Sequence, residues 1–403
     1  MLNDINLYNT TAKIQENTLL NRGIIEVGGV NVPQIMMSNN KDEAIERSIM
    51  QVLYFSMSFL SPFLLLPFFN KRALKSTGIV KNFNNSEKRI LEVSKKYLTG
   101  TAEEMVSGIR KTAKELSNKD KNIASDFENI LNRFNNKDQL KQALIKAHEK
   151  VFRNDYLTTT AMWGITPWIC TETTEKRTHR KGFSAAYKLK DDTIDDKTYQ
   201  KSKRKKFCAT ILLSALPSMI FPKLIMKGIK SGKLKNHAEL FDYTNAMFMS
   251  KTIFAMMWLL SDYPNQLIQS RDKDELKDRT IRIGAMIAMF FGGDFVLNNI
   301  FGKISDKIFK TKIMDGFSLK SFKDIEKLEG NTLKKSKKAG VMVYWTSLLA
   351  NCMLLGFGMP AILNRMLRKN IQKEKNLNQN ESFPVITSNT FKEFQLKNKS
   401  LNS

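Results

Sequence analysis

The sequence predicts an all-α fold, that of a polytopic helical membrane protein with an amphipathic helical cytoplasmic insertion. Three observations predict this class. Residues 49–69 and 339–364 form runs of 21 and 26 residues without a charged side chain. The stretches between the apolar runs carry most of the charge, and the 403-residue chain has a net charge of +26. Its mean hydropathy of −0.33 is too polar for a chain that lies mostly in lipid, so we expect sizeable polar parts beside the membrane helices.

The separation of apolar and charged stretches excludes several classes of protein, namely a uniformly disordered chain, a collagen-like fibre and a small disulfide-stapled toxin. The three cysteines lie in or at the edge of apolar runs, and none has a C-x-x-C partner. We therefore expect Cys170, Cys208 and Cys352 to be buried, reduced thiols that act as small apolar side chains.

The N-terminal segment, residues 1–48, is polar and slightly acidic. It has no basic stretch followed by an apolar core, so we expect no cleaved signal peptide. Asn39 and Asn40 precede Asp42 and Glu43. A capping amide followed by acidic residues is typical of a helix start, because both stabilise the free N–H groups and the positive end of the helix dipole.

Residues 49–69 are predicted to form a membrane helix. At 1.5 Å per residue, a helix of 21 residues crosses a hydrocarbon layer of about 30 Å. Pro62 and Pro67 are expected to kink it. Lys71 and Arg72 follow directly, which by the positive-inside rule places this end of the helix on the cytoplasmic side. The alternative is a buried core helix of a soluble protein.

Residues 70–156 are predicted to form an amphipathic helical region, either free-standing or lying on the bilayer surface. This region has 19 basic and 11 acidic residues. Thr101 and Glu104 have the spacing of a capping box. Apolar residues recur at helical spacing in two stripes, which we interpret as core faces. The stripes consist of Ile123, Phe127, Ile130, Leu131 and Phe134, and of Leu140, Ala143, Leu144, Ala147 and Val151.

Residues 157–364 are predicted to form a membrane-associated bundle with spans near 244–261, 283–302 and 339–364. The run 157–170 is too short to cross and carries Trp163 and Trp168, so a re-entrant or interfacial position is expected for it. The run 207–222 is interfacial, re-entrant or a tilted span. The preferred arrangement has four spans with 262–282 as an external loop, and six spans are the alternative. Residues 365–403 are predicted to be a basic, partly disordered tail.

A pair of opposite charges within the apolar runs is the sharpest candidate site. Lys251 and Asp294 lie at similar distances from the two ends of the loop 262–282. In an antiparallel hairpin they reach the same depth and could neutralise each other as an intramembrane ion pair. Gly292 and Gly293 would let a partner helix approach closely. The simpler interpretation of the pair is a structural contact that fixes the register of two helices.

Two basic clusters precede apolar runs and are predicted to contact anionic headgroups, at about 1 kcal/mol per residue. Nucleic-acid binding is not expected, because the aromatic residues lie inside the apolar runs rather than among the basic ones. The simplest interpretation is that these are flanking charges without a specific ligand. The clusters are Lys201, Lys203, Arg204, Lys205 and Lys206, and Lys334, Lys335, Lys337 and Lys338.

The sequence contains no recognisable catalytic motif and no phosphate-binding loop. His148, His179 and His237 stand alone in charged stretches, so no metal site and no cofactor are predicted. The preferred function is a non-enzymatic scaffold, assembly or transporter-like protein of a bacterial inner (cytoplasmic) membrane. One alternative is a membrane-bound enzyme acting on a lipid or isoprenoid substrate. The other is a peripheral basic helical protein that binds anionic surfaces.

Overall fold

The computed structural model describes residues 2–16, 23–80, 89–118, 121–186, 195–234, 251–316, 318–320 and 322–382. The described chain is all-α apart from one two-stranded antiparallel hairpin, which confirms the all-α part of the predicted class. In the N-terminal half the helices are α1 Leu2–Glu16, α2 Val32–Met36, α3 Lys41–Ser76, α4 Ile90–Lys95, α5 Ala102–Ser117, α6 Ile123–Leu131, α7 Lys137–Thr178 and α8 Phe183–Ala186.

The C-terminal half contains long helices interrupted by wider π-helical turns. The helices are α9 Asp196–Lys230, α10 Lys251–Met257, α11 Tyr263–Ile268, α12 Lys273–Ala288, α13 Asp294–Phe309, α14 Phe322–Glu326, α15 Gly330–Cys352 and α16 Met359–Ser382. The hairpin strands are β1 Met314–Asp315 and β2 Ser318–Leu319. The π-helical turns Gly23–Asn31, Trp258–Asp262, Met289–Gly293 and Met353–Gly358 lead directly into α2, α11, α13 and α16.

The predicted helix starts are confirmed where the sequence carries capping residues. Asn40 caps α3 by accepting a hydrogen bond from the backbone N–H of Glu43. Thr101 and Glu104 form the predicted capping box of α5. These side chains satisfy N–H groups that the first turn of a helix leaves free, so the helix start is fixed locally.

The amphipathic region packs around the main hydrophobic core, as the two stripes predicted. Phe127, Ile130, Leu140, Leu144 and Val151 are all buried in this core. The core also includes residues of α3 and α9, so the amphipathic helices are joined to the long helices through shared side chains. A second, smaller core joins α1, α13, α14 and α15.

The first three long helices alternate in direction. α7 runs antiparallel to α3, as contacts along their length show: Arg177 to Asp42, Trp163 to Tyr54, and Lys150 to Ser76. α9 runs antiparallel to α7, with contacts between Lys203 and Glu175, Ser214 and Thr160, and Phe221 and Phe152. We call the end of the bundle at Asp42, Arg177 and Lys203 the ionic end, and the end at Ser76, Lys150 and Phe221 the insertion end.

The remaining long segments continue this alternation. Ser261 lies beside Tyr156, whereas Ser270 lies beside Lys206. The segment from Ser261 to Ser270 therefore runs towards the ionic end. α12 turns back, because Arg279 contacts the backbone of Gln266. α13 and α15 are antiparallel, since the Ser305 hydroxyl contacts Ala339 and Gly293 lies against Asn351. Through α16, the chain returns to the ionic end.

Several sequence-based expectations are corrected. The run 157–170 is not a separate short segment but part of the 42-residue helix α7, which continues through Pro167. The expected loop 262–282 is mostly helical, because Asp272 caps α12 and its charges are neutralised internally. The helix α16 extends to Ser382, so residues 365–382 of the predicted tail are helical, and residues 383–403 lie outside the described part. Cys208 is exposed rather than buried.

Large apolar side chains point outward along the long helices. In α9 and in α15 with α16, only 28% and 39% of the most apolar window is buried, and these are the two described stretches long and apolar enough to cross a membrane. The exposed fraction reaches 67% for Leu64 and 60% for Ile362. We call these side chains the outer belt: Val52, Leu64, Ile211, Leu212, Leu216, Met219, Ile220, Leu349, Met353, Leu354 and Ile362.

A glycine at a helix crossing provides a test of this packing. A Cβ atom on Gly164 would lie 2.8 Å from Thr210 Cγ2 and 3.0 Å from Asn265 Nδ2. We expect Gly164→Ala to lower the free energy of unfolding by about 1–3 kcal/mol, because it would force α9 and α11 away from α7. The measurement is chemical unfolding of purified protein in mixed micelles.

Gly284→Ala is the matched control. Gly284 lies in the helix α12, and a Cβ atom there would have no heavy atom within 4 Å. The substitution should be neutral or stabilise by up to about 1 kcal/mol, through the higher helix propensity of alanine. Equal effects of the two substitutions would contradict the close helix crossing.

Candidate functional site, a polar interior

Polar side chains fill the interior of the bundle that the outer belt surrounds. They come from α3, α7, α9, the turn Trp258–Asp262 and α11–α12. Buried polar groups must be hydrogen-bonded or paired to avoid a large desolvation cost, so their partners define the geometry of the interior. The buried polar residues along these elements include Glu43, Glu46, Arg47, Asp155, Thr159, Thr160, Thr210, Ser214, Asp262, Asn265, Gln269, Arg271, Glu275, Arg279 and Arg282.

A buried ionic cluster lies at the ionic end, and Arg271 is at its centre. Its guanidinium donates two hydrogen bonds to Glu46, with Nη2–Oε1 at 2.8 Å and Nη1–Oε2 at 3.2 Å. It also donates to Glu275, with Nε–Oε2 at 3.0 Å. Arg279 Nη2 lies 2.6 Å from the other oxygen of Glu275. The side chain of Arg271 is only 1% exposed, so this bidentate pairing replaces its hydration.

Glu275 of the cluster is held in its ionised form. Burial raises the pKa of Glu275, but the charges of Arg271 and Arg279 outweigh burial and lower it to about 2. Two further ion pairs within single helices extend the cluster, Glu43 with Arg47 and Asp278 with Arg282. The four arginines Arg47, Arg271, Arg279 and Arg282 are thus matched by four carboxylates, which makes the buried cluster close to electrically neutral.

On the side of the cluster that faces the insertion end, uncharged side chains connect α7, α9 and α11. Ser214 Oγ donates to the backbone oxygen of Thr160 at 3.2 Å, and Asn265 Nδ2 donates to Ser214 Oγ at 3.1 Å. Gln269 Nε2 donates to Thr210 Oγ1 at 2.8 Å and also to the backbone oxygen of Gly164. Hydrogen bonds of this kind hold helices together where no hydrophobic force acts between them.

Two buried carboxyl groups lie deeper in the bundle. Asp262 accepts a hydrogen bond from Gln266 Nε2 at 2.8 Å and lies 3.5 Å from the hydroxyl of Tyr54, so both of these partners are neutral donors. Asp155 is fully buried, and neither of its carboxyl oxygens has a hydrogen-bond partner among the described residues. Tyr156 and Ser261, the chain neighbours of the two acids, have their hydroxyl oxygens 3.4 Å apart.

The predicted ion pair of Lys251 and Asp294 lies outside the described side chains, although both residues begin helices, α10 and α13. The two glycines differ in their surroundings. Gly293 lies against Asn351 of α15, where a Cβ atom would be 3.0 Å from the amide oxygen. Gly292 has no heavy atom within 4 Å of the corresponding position.

The two basic clusters lie at opposite ends of the bundle. Lys203 points inward and pairs with Glu172 and Glu175, and Lys206 donates to the backbone oxygen of Ser270 at 2.6 Å. Lys337 lies over the ring of Tyr8, 4.5 Å from its centre. The exposed members are Lys201, Arg204, Lys205, Lys334, Lys335 and Lys338. Lys201, Arg204 and Lys205 line an open surface groove of about 510 Å³ together with Asp196, Lys197 and Gln200.

His148 is buried against Ser94, with Nε2–Oγ at 3.0 Å. Burial, and to a smaller extent the charge of Lys95, lowers the pKa of His148 to about 3, so it packs as a neutral side chain. Within the described ranges, no group of three His, Cys, Asp or Glu side chains is placed to hold a metal ion.

Sequence reasoning missed the ionic cluster because it assigned residues 262–282 to a loop. The signal was present, however. Arg271, Glu275 and Arg279 are spaced four residues apart, the spacing at which a helix brings opposite charges together. Asp272 followed by Glu275 also resembles a helix start, and Asp272 accepts hydrogen bonds from the backbone N–H groups of Asp274 and Glu275. Its partner Glu46, 225 residues away in sequence, could not be inferred from spacing.

Removing the central arginine should be costly. We expect Arg271→Gln to lower the free energy of unfolding by about 3–5 kcal/mol, because it leaves Glu46 and Glu275 buried without their main counter-charge. Arg110→Gln is the matched control, since Arg110 makes a similar bidentate pair with Glu128 on the surface. This control should lose less than about 1 kcal/mol. Similar losses of unfolding free energy in Arg271→Gln and Arg110→Gln would mean that the buried cluster contributes no more to stability than a surface ion pair.

The stability of the amphipathic region should depend on pH through His148. Its pKa is lower in the folded protein than the ordinary value of 6.5, so its contribution is complete above pH 6.5 and is lost as the pH falls towards 3. The loss amounts to about 1.4 kcal/mol per pH unit, or about 2 kcal/mol at pH 5. The free energy of unfolding of the wild type should fall between pH 7 and pH 5, and in His148→Asn this fall should be smaller by that amount. An equal fall in the two proteins would contradict burial of a neutral His148.

No protein-family model, curated protein or solved structure matches this chain. Its function is therefore inferred from its own side chains and their arrangement.

Proposed function

We propose that this chain is an integral membrane protein of a bacterial inner membrane, a transporter-like helical bundle with a polar interior. The observation that carries the proposal is the reversed placement of polar and apolar side chains. Arg271 and Glu275 are buried at the ionic end, while Leu64, Leu212 and Ile362 of the outer belt are more than half exposed.

This reversed placement is unfavourable in water. An exposed apolar patch of this extent is rare on a monomeric soluble protein, and buried charges lose their hydration. In a bilayer the same arrangement is favourable, because the outer belt contacts hydrocarbon and the ionisable groups face the bundle interior. The peripheral alternative would require a second surface that covers the belt.

The alternating helix directions favour six crossings over four. The helices that contain residues 157–170 and 207–222 run between the ionic end and the insertion end, as α3 does. The N-terminal segment follows α15 and α16 in the same direction, with contacts of Thr11 to Trp345 and Gln34 to Leu355. It is a candidate for a further crossing.

We infer that the insertion end faces the cytoplasm. The described parts of residues 70–156 and 303–338 lie at this end, and these two stretches of sequence contain 19 and 11 basic residues. An excess of Lys and Arg is typical of cytoplasmic segments. Anionic headgroups are the proposed partners of the exposed basic clusters, Lys334, Lys335 and Lys338 at this end and Lys201, Arg204 and Lys205 at the other.

Extraction with alkaline carbonate tests the membrane assignment. A peripheral protein is released from membranes by this treatment, whereas we expect this chain to stay in the membrane pellet. Recovery of the full chain in the supernatant would overturn the proposal.

A single charge on the outer belt provides an independent test. Leu216 is 53% exposed, so Leu216→Arg should change the stability of a water-soluble protein by no more than about 0.5 kcal/mol. In a bilayer it should cost about 2.5–3.5 kcal/mol and reduce the amount of inserted protein. The control is Ile308→Arg, because Ile308 is 61% exposed but lies between Lys307 and Lys310 at the end of α13. Equal membrane levels of both variants would contradict a lipid-facing belt.

A further inference from the structure

Asp155 and Asp262 are buried acids that lie outside the ion pairs of the ionic cluster. Their surroundings are unlike those of Glu46 and Glu275, which are held by bidentate arginine pairs. Asp262 receives hydrogen bonds from the neutral Gln266 and Tyr54, and both oxygens of Asp155 lack a hydrogen-bond partner in the described part of the chain. An ionised carboxylate without a paired cation is very costly in a dry interior, whereas a protonated carboxyl is far less so.

The groups around the two acids come from several helices. Asp262 interacts with the hydroxyl of Tyr54 from α3 and with the charge of Arg279 from α12. Its other hydrogen-bond donors, Trp258 and Gln266, belong to its own segment. From α7, Tyr156 contacts the adjacent Ser261. Around Asp155, no side chain of the described residues donates a hydrogen bond to either carboxyl oxygen. Each acid is thus set in a mainly neutral environment.

The ionic cluster separates the acids from one aqueous side. Gln266, which donates to Asp262, accepts a hydrogen bond from Arg279 through its backbone oxygen at 2.8 Å. Beyond it towards the ionic end lie Glu275, Arg271 and Glu46. Arginine does not release its proton in proteins, so these guanidinium groups do not relay protons. A proton entering from the ionic end would have to pass these buried, paired side chains.

We propose that Asp155 and Asp262 are proton-binding groups of the bundle, which exchange their protons with the insertion end while the ionic cluster closes the ionic end. The inference rests on the proposed function, because only in a membrane bundle does such a site lie between two aqueous phases. On uptake, a carboxylate oxygen takes a proton from hydronium and releases water. The reverse step returns the proton to water. Ionisable residues at membrane depth commonly mark such proton pathways.

The test is infrared difference spectroscopy of the full chain in liposomes, taken between about pH 5 and about pH 8. Exposed carboxyls, with ordinary pKa values near 4, are almost fully ionised above about pH 6, so the change in the protonated-carboxyl C=O band between about pH 6 and about pH 8 reports mainly the buried acids. We expect a band that grows as the pH falls, is roughly halved in Asp155→Asn and in Asp262→Asn, and is lost in the double variant. The exposed Asp315→Asn is the control and should leave the band unchanged.

The variant Asp262→Glu distinguishes loss of the proton-binding carboxyl from loss of the fold. It keeps an acid at this position, so the band should shift in frequency but persist. A wild-type chain without a pH-dependent band, or a double variant that retains it, would overturn the proposal. Retention in the carbonate pellet without the band would refute the proton site alone, whereas release into the supernatant would refute the proposed function.

The closing role of the ionic cluster has its own measurement. In Glu46→Gln, Arg271 loses the carboxylate that holds it in two hydrogen bonds, so the cluster should open. We expect exchange of the carboxyl proton for deuterium to become at least about tenfold faster. Glu128→Gln is the control, because it removes a bidentate arginine partner on the surface. An unchanged exchange rate in Glu46→Gln would contradict the closed end.

Discussion

The pairing of Arg271 with Glu46 and Glu275 is the interaction on which the rest of the bundle depends. These side chains come from α3 and α12 and from the turn between α11 and α12, and each is buried. A buried charge is tolerated only when an opposite charge and further hydrogen bonds replace its hydration. The pairing therefore fixes the position of the α11–α12 turn against the start of α3.

The ionic cluster also sets the register of the neighbouring helices. Lys206 of α9 reaches the backbone of Ser270, next to Arg271, and Arg177 of α7 reaches Asp42, near Glu46. With this end fixed, Gln269, Asn265 and Asp262 come to lie at successive levels inside the bundle. In the proposed membrane bundle, this polar interior would provide sites for protons or small solutes, and the surrounding apolar surface would face the hydrocarbon of the bilayer.

The amphipathic region is stabilised by a different interaction from the polar bundle. The amphipathic region is held by ordinary burial of apolar side chains such as Phe127 and Leu144, and it includes His148 as a neutral residue. It shares this core with the ends of α3 and α9. The chain thus combines a region that folds by exclusion of water with a bundle held by polar contacts, and the transition lies along α7.

The sequence by itself determined the all-α class, the capped starts of α3 and α5, and the apolar stripes of the amphipathic region, because these features depend on residues within a few turns of one another. Only the tertiary structure decided the direction of residues 157–170 and 207–222 and the burial of Arg271. Spacing along one helix indicates which residues share a face, but not what that face meets. Glu46 and Arg271 are 225 residues apart, and their pairing depends on how the whole chain folds back.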